Sequence, residues 1–431
     1  MLGEVELQNF RNYKKASFEF SSGISLIVGP NASGKTNLLE AIFLLATGKT
    51  FRPGLEREMV RFGEEVGRVR GIVSKSIRNW ESGISEGTDS EFQVPNTDTD
   101  RVELEVVLTR GKVLGKKAPL KKLLVNGVSR RLYDFVGNLV VVLFGPEDLQ
   151  LVTNSPALRR DFLDFVLEQV DREYRRRSLV YKKGLVQRNK LLRLIAEGKR
   201  RKEELAYWNN LLVENGSYIT KKRAEFFEFV NSLPKELGEF EFVYQPSIFF
   251  DWVNRQKALV GGTKSRSGDG LGFQDLQTLF KNRLEEVYSQ EIKLGMSLVG
   301  PHRDEFKFQI PNSKSHPEPE QSSVRGSPEP CSALVQGQRR DLSIFGSRGE
   351  QRKAVLALKL AQLEFMTKVL GERPILLLDD IFSEFDFENR KELLEVIPKQ
   401  QTIITTTDLG LIPEDFLGRM KVWRVGERVT T

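Results

Sequence analysis

Short apolar runs separated by glycine-marked turns dominate the first third of the chain. Glu4-Val5-Glu6-Leu7 and Ala16-Ser17-Phe18-Glu19-Phe20 alternate with the period of two expected of half-buried strands. Ile24-Ser25-Leu26-Ile27-Val28 predicts a short apolar strand. Asn37-Leu38-Leu39-Glu40-Ala41-Ile42-Phe43-Leu44-Leu45 predicts an apolar helix that Gly48 can stop. Residues 102–108 and Leu123-Leu124-Val125 read as strands, the second ending in the turn Asn126-Gly127, and residues 139–144 as a buried strand. From Pro156 to about residue 292 the pattern turns helical. The longest stretch there without Gly or Pro is 157–183, and Gly184, Gly198, Gly216, Pro234 and Gly238 are expected to interrupt the later part of this region. That predicts a compact helical lobe and not a long coiled coil. Further elements are expected at 342–345, in a helix through 353–361, in the strand Ile375-Leu376-Leu377-Leu378, in a helix at 390–396 and in a last buried strand at 401–407.

Three stretches lack such patterning. Residues 79–100 are polar, 260–272 are Gly/Ser-rich, and 311–340 hold five prolines and six serines. The first two read as loop and linker, the third as a disordered insertion. The organisation predicted is 1–150 for the first part of an α/β domain, 151–292 for a mainly helical lobe and 293–431 for the rest of the α/β domain. With 431 residues there is room for such a division.

Composition removes several classes. Hydrophobic residues make up 39% and charged residues 29%, and no apolar run approaches the roughly 18 residues of a membrane span. The start, Met1-Leu2-Gly3-Glu4-Val5-Glu6, shows no export pattern, so a cytoplasmic protein with no membrane partner is expected. The single cysteine, Cys331, cannot form an intramolecular disulfide, and two histidines, His302 and His316, cannot build a histidine-rich metal site. Net charge is +7, but residues 172–202 alone hold 13 Lys/Arg against two acids, Glu173 and Glu197. The clusters are Arg175-Arg176-Arg177, Lys182-Lys183 and Lys199-Arg200-Arg201-Lys202. An excess of one sign with so few acids to pair predicts contact with nucleic-acid phosphates.

The chemistry begins at Gly29-Pro30-Asn31-Ala32-Ser33-Gly34-Lys35-Thr36, the full G-x-x-x-x-G-K-[ST] pattern, set between the strand and the helix. Strand, glycine loop and helix aim backbone N–H groups, through Asn37, and a positive helix end at an anion. Lys35 is expected at the β/γ-phosphates and the Thr36 hydroxyl on Mg²⁺. Ile375-Leu376-Leu377-Leu378-Asp379-Asp380 is a Walker B pattern: Asp379 would hold Mg²⁺ through water, and Asp380 would orient or deprotonate the attacking water. Nothing like Asn-Lys-x-Asp selects guanine, so ATP is the expected nucleotide. Gly346-Ser347-Arg348-Gly349-Glu350-Gln351 opens a helix with Ser347 as N-cap and Glu350 as its capping-box partner.

Ser347-x-Gly349-Glu350-Gln351, shortly before a Walker B strand, also resembles the signature motif of ABC-type ATPases. In that family the signature contacts the γ-phosphate held by a second subunit, so Ser347, Gly349 and Gln351 are expected at a partner's nucleotide. Ser383-Glu384-Phe385-Asp386 then falls where the family has its D-loop.

Longer segments carry a closer resemblance. Leu7-Gln8-Asn9-Phe10-Arg11-Asn12-Tyr13 is similar to the start of RecF proteins and of SMC-type heads. The segment from Pro146-Glu147-Asp148-Leu149 to Arg159-Arg160-Asp161-Phe162-Leu163-Asp164 resembles a RecF signature, with Asn154 where Gly is usual. Leu377–Asp386 resembles a second, with Phe385 for Leu, and Gly300-Pro301-His302-Arg303-Asp304 a third block. The resemblance implies an ABC/SMC-type ATPase head with a mixed sheet and an inserted, mainly helical second lobe. It further implies an ATP-dependent homodimer and DNA binding at gaps or junctions in recombinational repair and replication restart. RecR and RecO are the implied partners in loading RecA, in the cytoplasm at the nucleoid. An SMC-type DNA tether is the alternative, but it would need a long coiled-coil arm.

Three departures from ABC practice predict slow hydrolysis. Phe144-Gly145-Pro146-Glu147-Asp148 lacks the Q-loop glutamine, for which Glu147 or Asp148 would substitute. Thr406-Thr407 stands where a switch histidine is common, and Asp380 is shorter than the common glutamate. His302-Arg303-Asp304 reads as a hydrogen-bonded loop holding the lobe against the head, not as a catalytic group.

Overall fold

The computed structural model describes residues 1–52, 54–74, 101–234, 238–248, 273–311, 339–383, 390, 393–395 and 397–426. The expectations for 79–100, 260–272, Cys331, His316 and Glu384-Phe385-Asp386 lie outside the described residues. So do all of the 311–340 stretch except its ends, and residues 391, 392 and 396 of the helix expected at 390–396.

In chain order the strands and long helices begin with β1 (Leu2–Phe10), β2 (Tyr13–Glu19), β3 (Ile24–Val28) and α1 (Lys35–Thr47). Next are β4 (Val66–Ser74), β5 (Arg101–Thr109), β6 (Lys112–Val113), β7 (Lys116–Lys117), β8 (Lys121–Val125), β9 (Val128–Arg130) and β10 (Val141–Phe144). The helical run is α2 (Pro156–Val170), α3 (Arg172–Ala196) and α4 (Leu205–Ser232). After β11 (Glu241–Gln245) come α5 (Phe273–Leu294), β12 (Glu305–Pro311), β13 (Arg339–Asp341) and α6 (Arg348–Leu370). The chain closes with β14 (Ile375–Asp379), β15 (Thr402–Thr406) and β16 (Met420–Arg424).

Two compact units result: Met1–Pro146 with Phe165–Arg175 and Met366–Thr431, and Glu147–Asp164 with Arg176–Phe365. The first contains a five-stranded sheet in the order β10-β14-β15-β3-β16, every pair parallel. β3, β14 and β15 are buried at every position, as expected of parallel strands covered on both faces. A six-stranded antiparallel sheet, β2-β1-β4-β5-β8-β9, belongs to the same unit. α1 is buried nearly all round, and its Leu38, Leu39, Ile42 and Leu45 join one core with Val5, Leu7, Val69 and Val106 of the antiparallel sheet and Leu377 and Ile403 of the parallel one. A helix apolar on all sides is the element that can fill that position. Gly48 ends it at φ 65, with its N–H on the Leu44 carbonyl at 2.8 Å.

The second unit differs from the expected helical lobe in two respects. It carries a three-stranded antiparallel sheet, β11-β12-β13, and it runs on to Phe365, so Ser347 and most of α6 fall within it and not within the α/β unit. The physical reason is an aromatic cluster. Phe226 packs edge-on against Phe365 at 5.0 Å between centroids, and Phe162 and Phe227 pack on Phe306 of β12 at 6.3 and 4.9 Å. A further correction concerns glycines. Gly184 lies inside α3 and Gly216 inside α4 without ending either helix. A Cβ on Gly184 would stand 2.4 Å from Leu211 Cδ2, and one on Gly216 2.5 Å from Phe280 Cε1. These glycines permit close packing and do not break helices.

Among the described residues, hydrogen bonds of the His302 loop run to neighbours in this unit. Asp304, fully buried, accepts from Arg223 at 3.3 Å, from the Ser247 backbone N–H at 2.9 Å and from the Tyr244 hydroxyl. His302 bridges Tyr181 Oη at 2.7 Å through Nδ1 and the Ser297 carbonyl at 3.1 Å through Nε2. A neutral ring satisfies both, with Nε2–H donating and Nδ1 accepting. Burial pushes this imidazole down from 6.5 to about 4. The unfolded chain therefore binds more protons than the folded one as pH falls from 6.5 towards 4. Stability is complete above that window and declines through it, by up to about 3 kcal/mol. Urea midpoints at pH 7.5 and pH 5 should show this fall in the wild type and a shallower one in His302→Gln. Equal falls would exclude His302 as its source.

Candidate functional site

The site is built at the carboxyl ends of β3, β14 and β15, where parallel α/β sheets present ligand-binding groups. The loop after Val28 turns through Ala32 at φ 64 and Gly34 at φ 111 before α1 begins. Glycine is required at two places. A Cβ on Gly29 would stand 2.2 Å from the Val425 carbonyl oxygen, and one on Gly34 2.7 Å from Asn12 Nδ2. Lys35 Nζ donates to the carbonyls of Gly29 and Pro30 at 2.7 and 3.0 Å. Burial pushes this ammonium down, while Asp380 and Asp379 pull it back up.

Thr36 and Asp379, 343 positions apart, meet directly: Thr36 Oγ1 donates to Asp379 Oδ1 at 3.0 Å. The same oxygen accepts from Thr405 Oγ1 at 2.8 Å. Asp380 stands next to them with φ 50, its backbone N–H on the Thr405 carbonyl at 3.2 Å and on Thr405 Oγ1 at 3.1 Å. Thr405 therefore holds the Asp379 carboxylate and the Asp380 backbone, a part that sequence reasoning left unassigned.

A polar brace behind the loop was also missed. Asn12 Nδ2 donates to the Ser33 carbonyl at 3.0 Å and Tyr13 Oη to the Gly34 carbonyl at 3.1 Å. Asn37 Nδ2 donates to Asn12 Oδ1 at 2.8 Å, and Arg52 to Asn37 Oδ1 at 2.7 Å. Beneath them Glu40, fully buried on α1, accepts from Arg11 at 2.6 and 2.8 Å and from Thr50 at 2.5 Å. The only signal was the N-terminal segment Asn9-Phe10-Arg11-Asn12-Tyr13, which has strand patterning but ends in polar residues. A cavity of about 460 Å³ opens next to this brace, with Asn12, Asn37, Arg57, Glu58, Phe62 and Arg110 on its walls.

In the second unit, Ser347 and Glu350 form the expected capping box, Ser347 N–H on Glu350 Oε2 at 2.7 Å and Glu350 N–H on Ser347 Oγ at 3.2 Å. Ser347 and Gly349 are exposed, and Ile344 and Phe345 just before them are 70% and 60% exposed. Gln351 departs from expectation. It is buried, and its Nε2 donates to the carbonyls of Leu342 and Gly346 at 3.2 and 3.3 Å, so it positions the turn instead of facing a nucleotide. Asp148, one of the two substitutes for the Q-loop glutamine, is tied to Lys359 at 2.6 Å.

The basic stretch is where the fold corrects the sequence most. Arg175 is buried, donating to the Val136 carbonyl at 2.6 Å, and so cannot meet a phosphate there. Arg188 is fully buried between Glu291, Ser297 and Asn209 at 2.6 to 2.8 Å. Acids distant in sequence pair others: Glu214 with Arg177, Asp164 with Lys182, Asp134 with Arg172. Nearby, Glu197 takes Lys199 and Glu204 takes Arg200. The premise of unpaired charge therefore fails for much of the stretch, although Arg176, Lys183, Arg201 and Lys202 are exposed.

Residues 1–414 match the family model of the RecF/RecN/SMC N terminal domain, which defines the class as that of these ATPase heads. Within it, the chain is 32% identical over 433 residues to the DNA replication and repair protein RecF of Bacillus cytotoxicus, covering 98% of this chain and 96% of that one. To RecF of Bacillus cereus strain G9842 it is 33% identical over 435 residues, with the same coverage. Solved structures of the recombination mediator protein RecF in the RecFOR pathway superpose with TM-scores of 0.73 for RecF-ATP and 0.72 for RecF-ATPrS. They are 28% and 29% identical to this chain and cover 96% of it, matching 93% and 94% of their own lengths. The chain belongs to the RecF family. Among the described residues, no helix is long and apolar enough to cross a membrane.

Proposed function

We propose that the chain is an ATP-switched DNA-binding protein of recombinational repair and replication restart, acting as a homodimer that closes on ATP and opens on slow hydrolysis. The observation that carries this reading is the meeting of Thr36 with Asp379 at 3.0 Å beside Lys35, in a chain of the RecF family. In it, the loop from Gly29 to Asn37 cradles the phosphates, and Lys35 leaves its two carbonyls for the β/γ-phosphates. A hydroxyl and a carboxylate oxygen are donors that suit Mg²⁺, so Thr36 and Asp379 would hold it, completed by phosphate oxygens and water. Bound there, the ion would neutralise phosphate charge. Asp380, fixed by Thr405, orients the attacking water. The cavity beside Asn37 offers Phe62 and Arg57 to the base.

Each subunit's exposed Ser347 and Gly349 reach the partner's γ-phosphate, with Ile344 and Phe345 as apolar contacts that the closed dimer covers. Absence of a switch histidine and a Q-loop glutamine supports a weak ATPase, stimulated by DNA. RecO and RecR as partners in loading RecA, at gaps or junctions, rest on family membership alone. The SMC-type tether is disfavoured, since α3 and α4, the longest described helices of the second unit, run for 25 and 28 residues.

Sedimentation with and without ATP and duplex DNA tests the proposal. The wild type should dimerise with ATP and bind DNA more tightly when it does. Ser347→Arg should bind ATP yet stay monomeric. Were Ser347 only a helix cap, its loss would cost about 1 kcal/mol of stability and leave dimerisation intact.

A further inference from the structure

Residues 110–131 carry eight Lys/Arg and no acid. The fold gathers them at one edge of the six-stranded sheet: β5 leads into the small hairpin β6–β7, then into β8 and the edge strand β9. Lys112, Lys116, Lys117, Lys122, Arg130 and Arg131 are exposed, and none of them forms an ion pair among the described residues. Only Lys121 is paired, with Glu56. This is the condition that was expected of the whole 172–202 stretch and that only part of it meets, Lys183, Lys190, Arg193, Arg201 and Lys202 among it.

The register extends the charge across the sheet. Lys122 opposes Val107, Val107 opposes Arg68, Arg68 opposes Gln8 and Gln8 opposes Lys15. Directly opposed residues share a face, so Lys15, Arg68 and Lys122 lie in one row. Arg68 is held by Glu105 at 3.1 Å, whereas Lys15 is exposed and has no ion pair among the described residues.

The hairpin tip is a second, independent observation. Leu114 at φ 50 and Gly115 at φ 74 make a turn with both central residues left-handed. Asn-Gly normally fills such a turn, and leucine there costs about 1 kcal/mol. Nothing packs on the side chain to offset this, for Leu114 is 87% exposed. The Glu65 carboxylate reaches the hairpin and accepts the Leu114 backbone N–H at 2.9 Å, which fixes the tip. At the root, Arg110 lies over the exposed Phe62 ring, 5.9 Å from its centroid, and borders the cavity beside Asn37.

The geometry points to this hairpin and its basic flank as a docking surface for duplex DNA, resting on the proposed DNA-binding function. A two-stranded β-ribbon is a shape that the major groove admits. Lys112, Lys116, Lys117 and Lys122 reach phosphates on either side, and Leu114 contacts the groove without reading sequence. Because Arg110 borders the cavity proposed for the nucleotide's base, the surface stands next to the switch.

Salt titrations of duplex binding with ATP present test this on the full chain. In the variant with Lys112, Lys116, Lys117 and Lys122 all changed to Gln, the slope of log K against log salt should fall by about 3 to 4, at about 0.9 per lost contact. Its affinity near 0.1 M salt should drop by more than about tenfold, with thermal melting and ATP binding unchanged. Leu114→Asn, which suits the left-handed tip, should weaken binding with the slope preserved. If the wild type binds duplex and the lysine variant binds it with the same affinity and slope, the surface is overturned and an acidic protein segment becomes its expected occupant. If the wild type itself binds no duplex with or without ATP, the DNA reading falls as a whole.

Discussion

Lys35→Ala should lose ATP-driven dimerisation and hydrolysis while keeping its fold. Among the described residues, Lys35 Nζ donates to the Gly29 and Pro30 carbonyls alone, at 2.7 and 3.0 Å, and the loop has separate braces in Asn12 and Tyr13. Its removal leaves two carbonyls at the loop's edge and little else unsatisfied. With ATP the loss is larger. A hydrogen bond between charged partners contributes about 1.5–3 kcal/mol, which predicts ATP binding weakened by roughly 10- to 100-fold. Dimerisation fails with it, because closure draws on nucleotide held by both subunits. Titration calorimetry with ATP and sedimentation at the same protein concentration measure the two effects. A variant that dimerises with ATP as the wild type does would remove Lys35 from the phosphate site.

The contrast between this site and the basic stretch shows what the sequence can display. The phosphate-binding loop and the Asp379 strand are contiguous, and each carries its context on both flanks. Their meeting across 343 positions follows once both are placed at carboxyl ends of one parallel sheet. Thr405 was invisible because its role arises from register: Asp379 opposes Thr405 across β14 and β15. Charge pairing is non-local in the same way. Glu291 is far from Arg188 in sequence, yet it cancels that charge at 2.6 Å, and nothing within 172–202 announces it. In the sequence Gly184 and Gly216 look like interruptions because a glycine's cost in a helix is a local property. Its benefit, a Leu211 or Phe280 side chain packed where a Cβ would be, is tertiary. The basic hairpin escaped for the opposite reason. Its cations are spaced among apolar residues and turns, and only the exposed edge of β9 brings them to one surface.

Asp380→Asn should separate binding from hydrolysis. Asp380 sits at φ 50, a conformation that asparagine adopts as readily as aspartate, so the substitution keeps the backbone and its two hydrogen bonds to Thr405. Asp379 and Thr36 remain in contact, and the loop that would hold the phosphates is untouched. Only the carboxylate that would accept a proton from water, or hold that water in line, is lost. General-base contributions of this kind amount to about 10²–10⁴ in rate, so phosphate release in a single turnover should fall by that factor. ATP affinity should not fall, since the removed charge would repel the phosphates. Because opening follows hydrolysis, the ATP dimer should persist for correspondingly longer, and its DNA complex with it. Single-turnover phosphate release and sedimentation of the ATP-bound protein are the two readouts. Slow release with a long-lived dimer supports Asp380 as the water-orienting group. Normal release would transfer that role to another residue, and Glu147, exposed and the remaining substitute for the Q-loop glutamine, would be tested next.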